Sequence, residues 1–275
     1  MPLQPAITPA TWQARGFTET PPMRTQILEL TIDELSENGI ERFRPENVCE
    51  RLHITRSLIN HHFGNRDKLV SEAMTIAYER YVQVLRTAAL AADTPMARLE
   101  AWMLAQVKWT RQNRGLAALI QLPHPDLAKL QRSMFAAELE HTFKLNMNVL
   151  AELIRGAQTG TTSSLEFEDV DAEFGRMFTD LSFFMLVASV GLSALGTSIW
   201  AAGANMPATG ISEYFLNDIV LMQHLRWVAA SAAARVTSGE ALNTAFDPEA
   251  LAQVTAMFRT VSADTAVNPQ APSSI

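Results

Sequence analysis

Three short helical segments separated by abrupt breaks, all within Arg24–Leu69, constrain this chain more than any other feature. Ile27, Leu28, Thr31 and Leu35 recur at the helical period, with Glu29, Asp33, Glu34 and Glu37 elsewhere on the segment. Asn38-Gly39 stops it, because glycine tolerates the left-handed backbone of a helix end. Pro45 suits the first turn of a second short helix, PENVCERL. His53-Ile54 makes a turn, and Thr55 is placed to cap a third helix, TRSLINHHF. Gly64-Asn65 breaks the chain again. Asn65 caps a long fourth helix from Arg66, whose Leu69, Val70, Ala73, Met74, Ala77, Tyr81, Val84 and Leu85 keep helical spacing to about Leu90. The second and third segments together have the form of a helix-turn-helix.

The rest of the sequence also reads as helices. One opens at Asp93-Thr94-Pro95 and runs through Asn113, and a short one covers Arg114–Leu122. A long one runs from Asp126 to Arg155, where Gly156-Ala157-Gln158-Thr159-Gly160 is expected to stop it. Another starts near Asp169 with acids in its first turn. Ser212 caps a further one to about Val236, and Asp247-Pro248-Glu249 opens a last one to about Val261. No run alternates β-branched residues as a strand would. The expected fold class is all-α. With 48 % hydrophobic residues in 275, the chain can bury a sizeable core. Residues 1–22 hold five prolines and are expected to form a flexible arm; residues 263–275 are expected to form a flexible tail.

Asp180 and Glu213 bracket a stretch without any charge. It is long enough to span a bilayer. Scattered Gly, Ser and Thr dilute it, however, and no Lys/Arg cluster flanks it, so a buried core or interface helix is expected and no membrane partner. The start of the chain lacks the basic-then-apolar order of a secretory signal, and a cytoplasmic location is expected. The single cysteine, Cys49, excludes an internal disulfide and multi-cysteine zinc sites; core packing is its expected role. Neither a metal site nor a cofactor is expected: at His53, His61 and His62, adjacent residues on a helix are expected to point apart, and no carboxylate completes a shell. GxGxxG, Walker A, GxSxG and HExxH are all missing from the sequence, so the chain is not expected to be an enzyme.

The third short helix carries the chemistry. A helix that enters the major groove must present polar side chains near its N-terminus to base edges. TRSLINHH supplies Thr55, Arg56, Ser57, Asn60, His61 and His62, while Ile59 and Phe63 anchor it from below. Net charge over the chain is −7, which disfavours a broadly basic nucleic-acid coat. Across residues 51–68, however, Arg51, Arg56, Arg66 and Lys68 face only Asp67, a local net of +3. Attraction to phosphate is screened within roughly 10 Å, so a local patch can act on an acidic protein.

The order of these pieces, with NVCERLHIT followed by LINHHFGNRDKLV, resembles the DNA-binding domain of TetR-type transcriptional regulators over about residues 23–70. The resemblance implies a helix-turn-helix DNA-binding domain at 23–68 and a larger helical ligand-binding and dimerisation domain at 69–262. It implies that Thr55 opens the recognition helix beside a phosphate, and that Arg56, Ser57 and Leu58 meet bases. His61 and His62 match the aromatic-plus-His pair near the helix end, and Arg66 matches a basic residue that holds the DNA backbone. Three positions depart from the pattern. Asn60 replaces a tyrosine, His53 replaces a turn glycine, and Phe43-Arg44 replaces a threonine pair. Arg44 would exchange a hydroxyl contact to phosphate for a charged one. Lys68 completes the expected DNA-binding set.

In the second half, Trp102 and Trp109 lie seven apart on one helix face. Met134, Phe135, Phe143 and Met147 are candidates to face them, with His141 and Asn146 as polar groups that orient a ligand. Met and aromatic residues line adaptable apolar pockets and also fill ordinary cores. The expected partners are a double-stranded operator with an inverted repeat, a small apolar effector, and a second copy of the chain. Pairing is assigned to the helices near Phe178–Leu195 and Ser212–Ala234. The expected function is a transcriptional regulator, a repressor, whose operator affinity the effector changes. Two other readings stay open from sequence: a membrane-attached regulator using 181–206 as a span, and a helical module that does not bind DNA.

Overall fold

The computed structural model describes residues 7–121, 136–179, 183, 186–191, 193–194 and 218–233. Among them every regular element is a helix. In chain order these are α1 (Pro9–Ala14), α2 (Met23–Arg42), α3 (Pro45–Leu52), α4 (Arg56–Phe63), α5 (Arg66–Leu90), α6 (Pro95–Gln112), α7 (Arg114–Gln121), α8 (Ala136–Thr159), α9 (Val170–Thr179) and α10 (Asp218–Ala233). The chain divides into two compact units. The first comprises Met1–Gln83 and Gln112–Leu145, the second Val84–Arg111 and Asn146–Ile275.

In the first unit α2 is the spine. Its Ile27, Leu28, Leu30, Leu35 and Ile40 are buried, together with Val48 of α3, Ile59 and Phe63 of α4, and Leu69, Val70, Ala73 and Met74 of α5. Two carboxylates of α2 are buried as well, and each is compensated as a buried charge must be. Glu29 receives both terminal nitrogens of Arg80, at 3.0 and 2.5 Å. Glu34 accepts from the side-chain amides of Asn38, at 3.1 Å, and Asn47, at 3.0 Å. The expected break at Asn38-Gly39 is present: Gly39 sits at φ +71°, ψ 174°, and one more turn continues to Arg42.

Opposite that break, α7 crosses α2 closely. A Cβ on Gly115 would lie 2.0 Å from the Leu35 carbonyl oxygen, 2.7 Å from the Gly39 nitrogen and 2.8 Å from the Ser36 carbonyl oxygen. Ser36 Oγ donates to Asn113 Oδ1 at 3.1 Å just before α7, and Leu116 and Ala117 are buried behind the crossing.

The flexible arm expected for residues 1–22 is corrected over residues 8–17. Pro9 opens α1 instead of breaking it, because proline is tolerated in a first helical turn. Trp12 is 2 % exposed and packs edge-on to Phe17. Arg15 lies over the Trp12 ring and pairs with Asp33 of α2 at 2.5 Å. Counting prolines missed one buried aromatic anchor and one ion pair.

The second unit buries Leu99, Trp102, Met103, Val107 and Trp109 of α6, Val149, Leu150, Leu153 and Ile154 of α8, and Leu225, Val228, Ala229 and Ala232 of α10. Side chains secure the chain between elements. Arg98 donates to the carbonyls of Ala92 (3.0 Å) and Ser163 (2.7 Å), Asn148 to Val170 (2.9 Å), and Gln158 to Ala232 (2.9 Å). α8 continues through Gly156, where a stop was expected, and ends at Thr159. The left-handed cap falls on Gly160, at φ +73°. Gly156 serves instead as the close-approach position, since a Cβ there would lie 2.6 Å from the Thr161 carbonyl oxygen.

Of the uncharged stretch, Val187, Val190 and Ala194 are buried, and no helix among the described residues is long and apolar enough to cross a membrane. The helix expected after Asp247, the tail, and the candidate residues Met134 and Phe135 lie outside the described residues.

Candidate nucleic-acid interface

The α3–α4 turn must bend without glycine. His53 takes the left-handed conformation, φ 54° and ψ 42°. Its N–H donates to the Glu50 carbonyl at 3.3 Å, and the Ile54 N–H donates to Cys49 at 3.0 Å. Left-handed backbone costs an ordinary L-residue roughly 1–2 kcal/mol. His53→Gly is therefore expected to stabilise the protein by about 0.5–1 kcal/mol, after the entropy that glycine adds to the unfolded chain. Thermal unfolding checks this; an unchanged or lower Tm would show that the turn carries no strain.

Thr55 stands at the N-cap of α4 in extended backbone, without a side-chain cap bond, and is exposed. Asn65 caps α5 as expected, its Oδ1 accepting from the Lys68 N–H at 2.9 Å. Four contacts secure the end of α4 and the start of α5. The Arg24 guanidinium lies 5.0 Å from the Phe63 ring and pairs with Glu72. Arg66 donates to the Ile40 carbonyl at 2.8 Å and covers the Phe43 ring at 5.4 Å. With Ile59 and Phe63 buried, α4 is held as a rigid ridge.

On that ridge Thr55, Arg56, Ser57, Asn60 and His61 are exposed, as are Arg44 at the start of α3 and Lys68 on α5. Leu58, His62 and Arg66 are half-buried. The His61 and His62 rings meet edge to face with centroids 5.4 Å apart. Arg66, matched by resemblance to a residue that holds DNA, is here tied to Ile40 and lies 3.6 Å from Asp67.

The local charge of +3 counted along the sequence is corrected by the fold. Arg56 pairs with Glu46 of α3, and Arg51 pairs with Asp33 of α2 at 3.2 Å; both acids lie outside the window counted. Arg44 and Lys68 are then the exposed cations expected to meet phosphate. Each of Arg44→Gln and Lys68→Gln should lower the slope of log affinity against log salt by about 1, weakening all sequences alike. A slope unchanged by both variants would remove these residues from the interface.

Cys49 is half-buried, and burial followed by the charge of Glu46 raises its thiol pKa, so the reactive thiolate is disfavoured. No group of His, Cys, Asp or Glu among the described residues could hold a metal ion.

The effector candidates fall into two places. His141 is exposed and, with Glu79, Arg80, Gln83, Thr142 and Leu145, lines a groove of about 390 Å³ in the first unit. Trp102, Trp109 and Asn146 belong to the second. Phe143 is exposed and Met147 half-buried. Trp102 and Trp109 are buried on α6. Between them on the same face lies Gln106, which the sequence reading passed over. Its signal was a polar residue four positions after Trp102 on an otherwise apolar face. Trp102 Nε1, Gln106 Oε1 and Asn146 Oδ1 are buried atoms without a hydrogen-bond partner among the described residues.

Comparison with known proteins bears on the first of these sites. The family model described as bacterial regulatory proteins, tetR family, matches residues 27–73, from α2 into α5. Proteins named HTH-type transcriptional regulator BetI from Burkholderia mallei (strain NCTC 10229) and Burkholderia pseudomallei (strain K96243) are each 28 % identical over 139 residues, covering 48 % of this chain and 68 % of theirs. The protein of the same name from Burkholderia thailandensis is 27 % identical over the same length. A solved structure of the fatty acid degradation regulator FadR from Bacillus halodurans aligns with 80 % of this chain and 99 % of its own at 15 % identity, with a TM-score of 0.46.

Proposed function

Because residues 27–73 place this chain in the tetR family of bacterial regulatory proteins, and so among DNA-binding transcriptional regulators of that type, we propose that it is a repressor whose operator affinity is lowered by a small ligand held in its second unit. The observation that carries this reading is the rigid ridge of α4. Five polar side chains on it and at its N-cap are exposed, while Ile59 and Phe63 are buried beneath it and Arg24 lies over the Phe63 ring. In this reading Arg56, Ser57, Asn60 and His61 read base edges, Thr55, Arg44 and Lys68 hold phosphates, and Leu58 and His62 pack at the groove wall. The domains are those read from sequence: DNA binding at 23–68, regulation and dimerisation from 69. Two copies pair through their C-terminal helices, α10 among them, and a two-fold pair reads an inverted repeat in the cytoplasm.

The ligand acts through chain continuity. α5 begins at the cap behind the recognition helix, and its residues Val84–Leu90 belong to the second unit. α6, which carries Trp102 and Trp109, is separated from α7 by Asn113 alone, and α7 is wedged against α2 at Gly115. A ligand that favours one setting of α6 over another shifts the setting of α2 to α4 by its differential affinity for the two.

In vitro transcription from a promoter overlapping the bound site tests the reading. The protein should lower transcript, and a compound that raises its Tm should restore it. A rise in transcript on adding protein would make it an activator. Ligands that bind and leave both transcript and DNA affinity unchanged would remove the effector from the account.

A further inference from the structure

Trp102 is 2 % exposed and Gln106 3 %, and they stand one turn apart on the same face of α6. The indole Nε1–H can only donate and the amide Oε1 only accept. Both atoms are buried and have no hydrogen-bond partner among the described residues. Burying either costs the full desolvation of a polar group with nothing returned, a situation native interiors rarely keep without a reason. Leu99 and Met103, buried on the same helix, are apolar. The face thus holds, among the described residues, one unpartnered donor and one unpartnered acceptor within an apolar lining. An ionised carboxylate would meet Gln106 Oε1 with like polarity, and a hydrocarbon would leave both atoms unpaired. A hydroxyl satisfies both at one atom: its oxygen accepts from Trp102 and its hydrogen is donated to Gln106.

We propose that the effector is a neutral hydroxyl compound, an alcohol or phenol, with its O–H between Trp102 Nε1 and Gln106 Oε1 and its apolar body along α6. This rests on the effector reading given above and replaces a purely apolar ligand with one that has a polar head.

The test uses the full chain and a panel of small alcohols and phenols, each with its methyl ether and its ketone. The indole ¹⁵N–¹H resonance of Trp102, assigned by its loss in Trp102→Phe, reports occupancy. At least one alcohol should move that resonance and bind about tenfold more tightly than its ether and ketone. Gln106→Met should bring the alcohol and ether to equal affinity, and should leave the Tm of the unliganded protein unchanged or raised, since it removes an unpaired polar atom. Equal binding of alcohol, ether and ketone to the unaltered protein would overturn the proposal, as would a panel that never moves the Trp102 resonance. A clear fall in Tm for Gln106→Met would do the same, because it would mean that Gln106 already has a partner. Operator affinity measured alongside keeps the two readings apart. Ligands that release DNA without any preference for the hydroxyl would sink this proposal alone. An alcohol that satisfies the resonance test and leaves DNA binding intact would sink effector control alone.

Discussion

Gly115→Leu will lower the stability of this protein by about 3 kcal/mol or more and abolish operator binding near its working temperature. Overpacking a filled contact costs 1–3 kcal/mol and occasionally more when the neighbours cannot move. Here they cannot: the atoms a Cβ would strike are the Leu35 and Ser36 carbonyl oxygens and the Gly39 nitrogen, all backbone of α2. Even alanine places its Cβ 2.0 Å from an oxygen. Relief requires α7 to lift from α2, which frees Leu116 and Ala117 and strains the Ser36–Asn113 hydrogen bond. At a typical 2–4 °C per kcal/mol for a unit of this size, Tm should fall by roughly 10 °C. Gly175 is the control. A Cβ there meets nothing within 4 Å, so Gly175→Ala inside α9 should be neutral or stabilise by up to about 1 kcal/mol. If Gly115→Leu melts like the unaltered protein, α7 does not lie where it is described, and the coupling route through Asn113 fails with it.

The second large effect is on DNA affinity. Arg56→Ala and Asn60→Ala should each weaken specific operator binding about ten- to a hundredfold, the range for one lost base contact, while non-specific binding changes far less. Both side chains are exposed, so Tm should stay within about 1 °C of the original. Arg56 carries a further consequence of its pairing with Glu46. To reach a base or phosphate it must exchange that carboxylate for DNA, and Arg56→Ala leaves Glu46 facing the polyanion. Glu46→Gln should therefore bind DNA more tightly than the original and recover part of the loss in Arg56→Ala. Unchanged specific affinity in both Arg56→Ala and Asn60→Ala would mean that α4 does not read the operator.

Much of the segment from α2 to α5 was legible because its signals are local. Gly39, Pro45, Thr55, Asn65 and the apolar spacing of α2 and α5 act through backbone geometry within a few residues, and each sits where the sequence placed it. What escaped the sequence was partner identity across space. The charge count over 51–68 omitted Asp33 and Glu46, which reach Arg51 and Arg56 from other helices. α1 escaped because five prolines outweighed one tryptophan, whose burial depends on a surface that α2 supplies. The end of α8 was misplaced by four residues because Gly156 and Gly160 look alike in sequence, and only the return of Thr161 against Gly156 distinguishes them. On the effector side, Trp102 and Trp109 were found by their spacing. Gln106 was missed because one polar residue on an apolar face has no periodicity of its own.

The measurement that bears most directly on the central claim is selection of bound sequences from random duplex DNA, at a defined moderate salt concentration and with no ligand added. The account predicts enrichment of an inverted repeat whose half-sites are read alike, and loss of that enrichment in Asn60→Ala. Salt-sensitive binding with no enriched sequence would contradict it, leaving α4 an exposed ridge that attracts phosphate without reading bases.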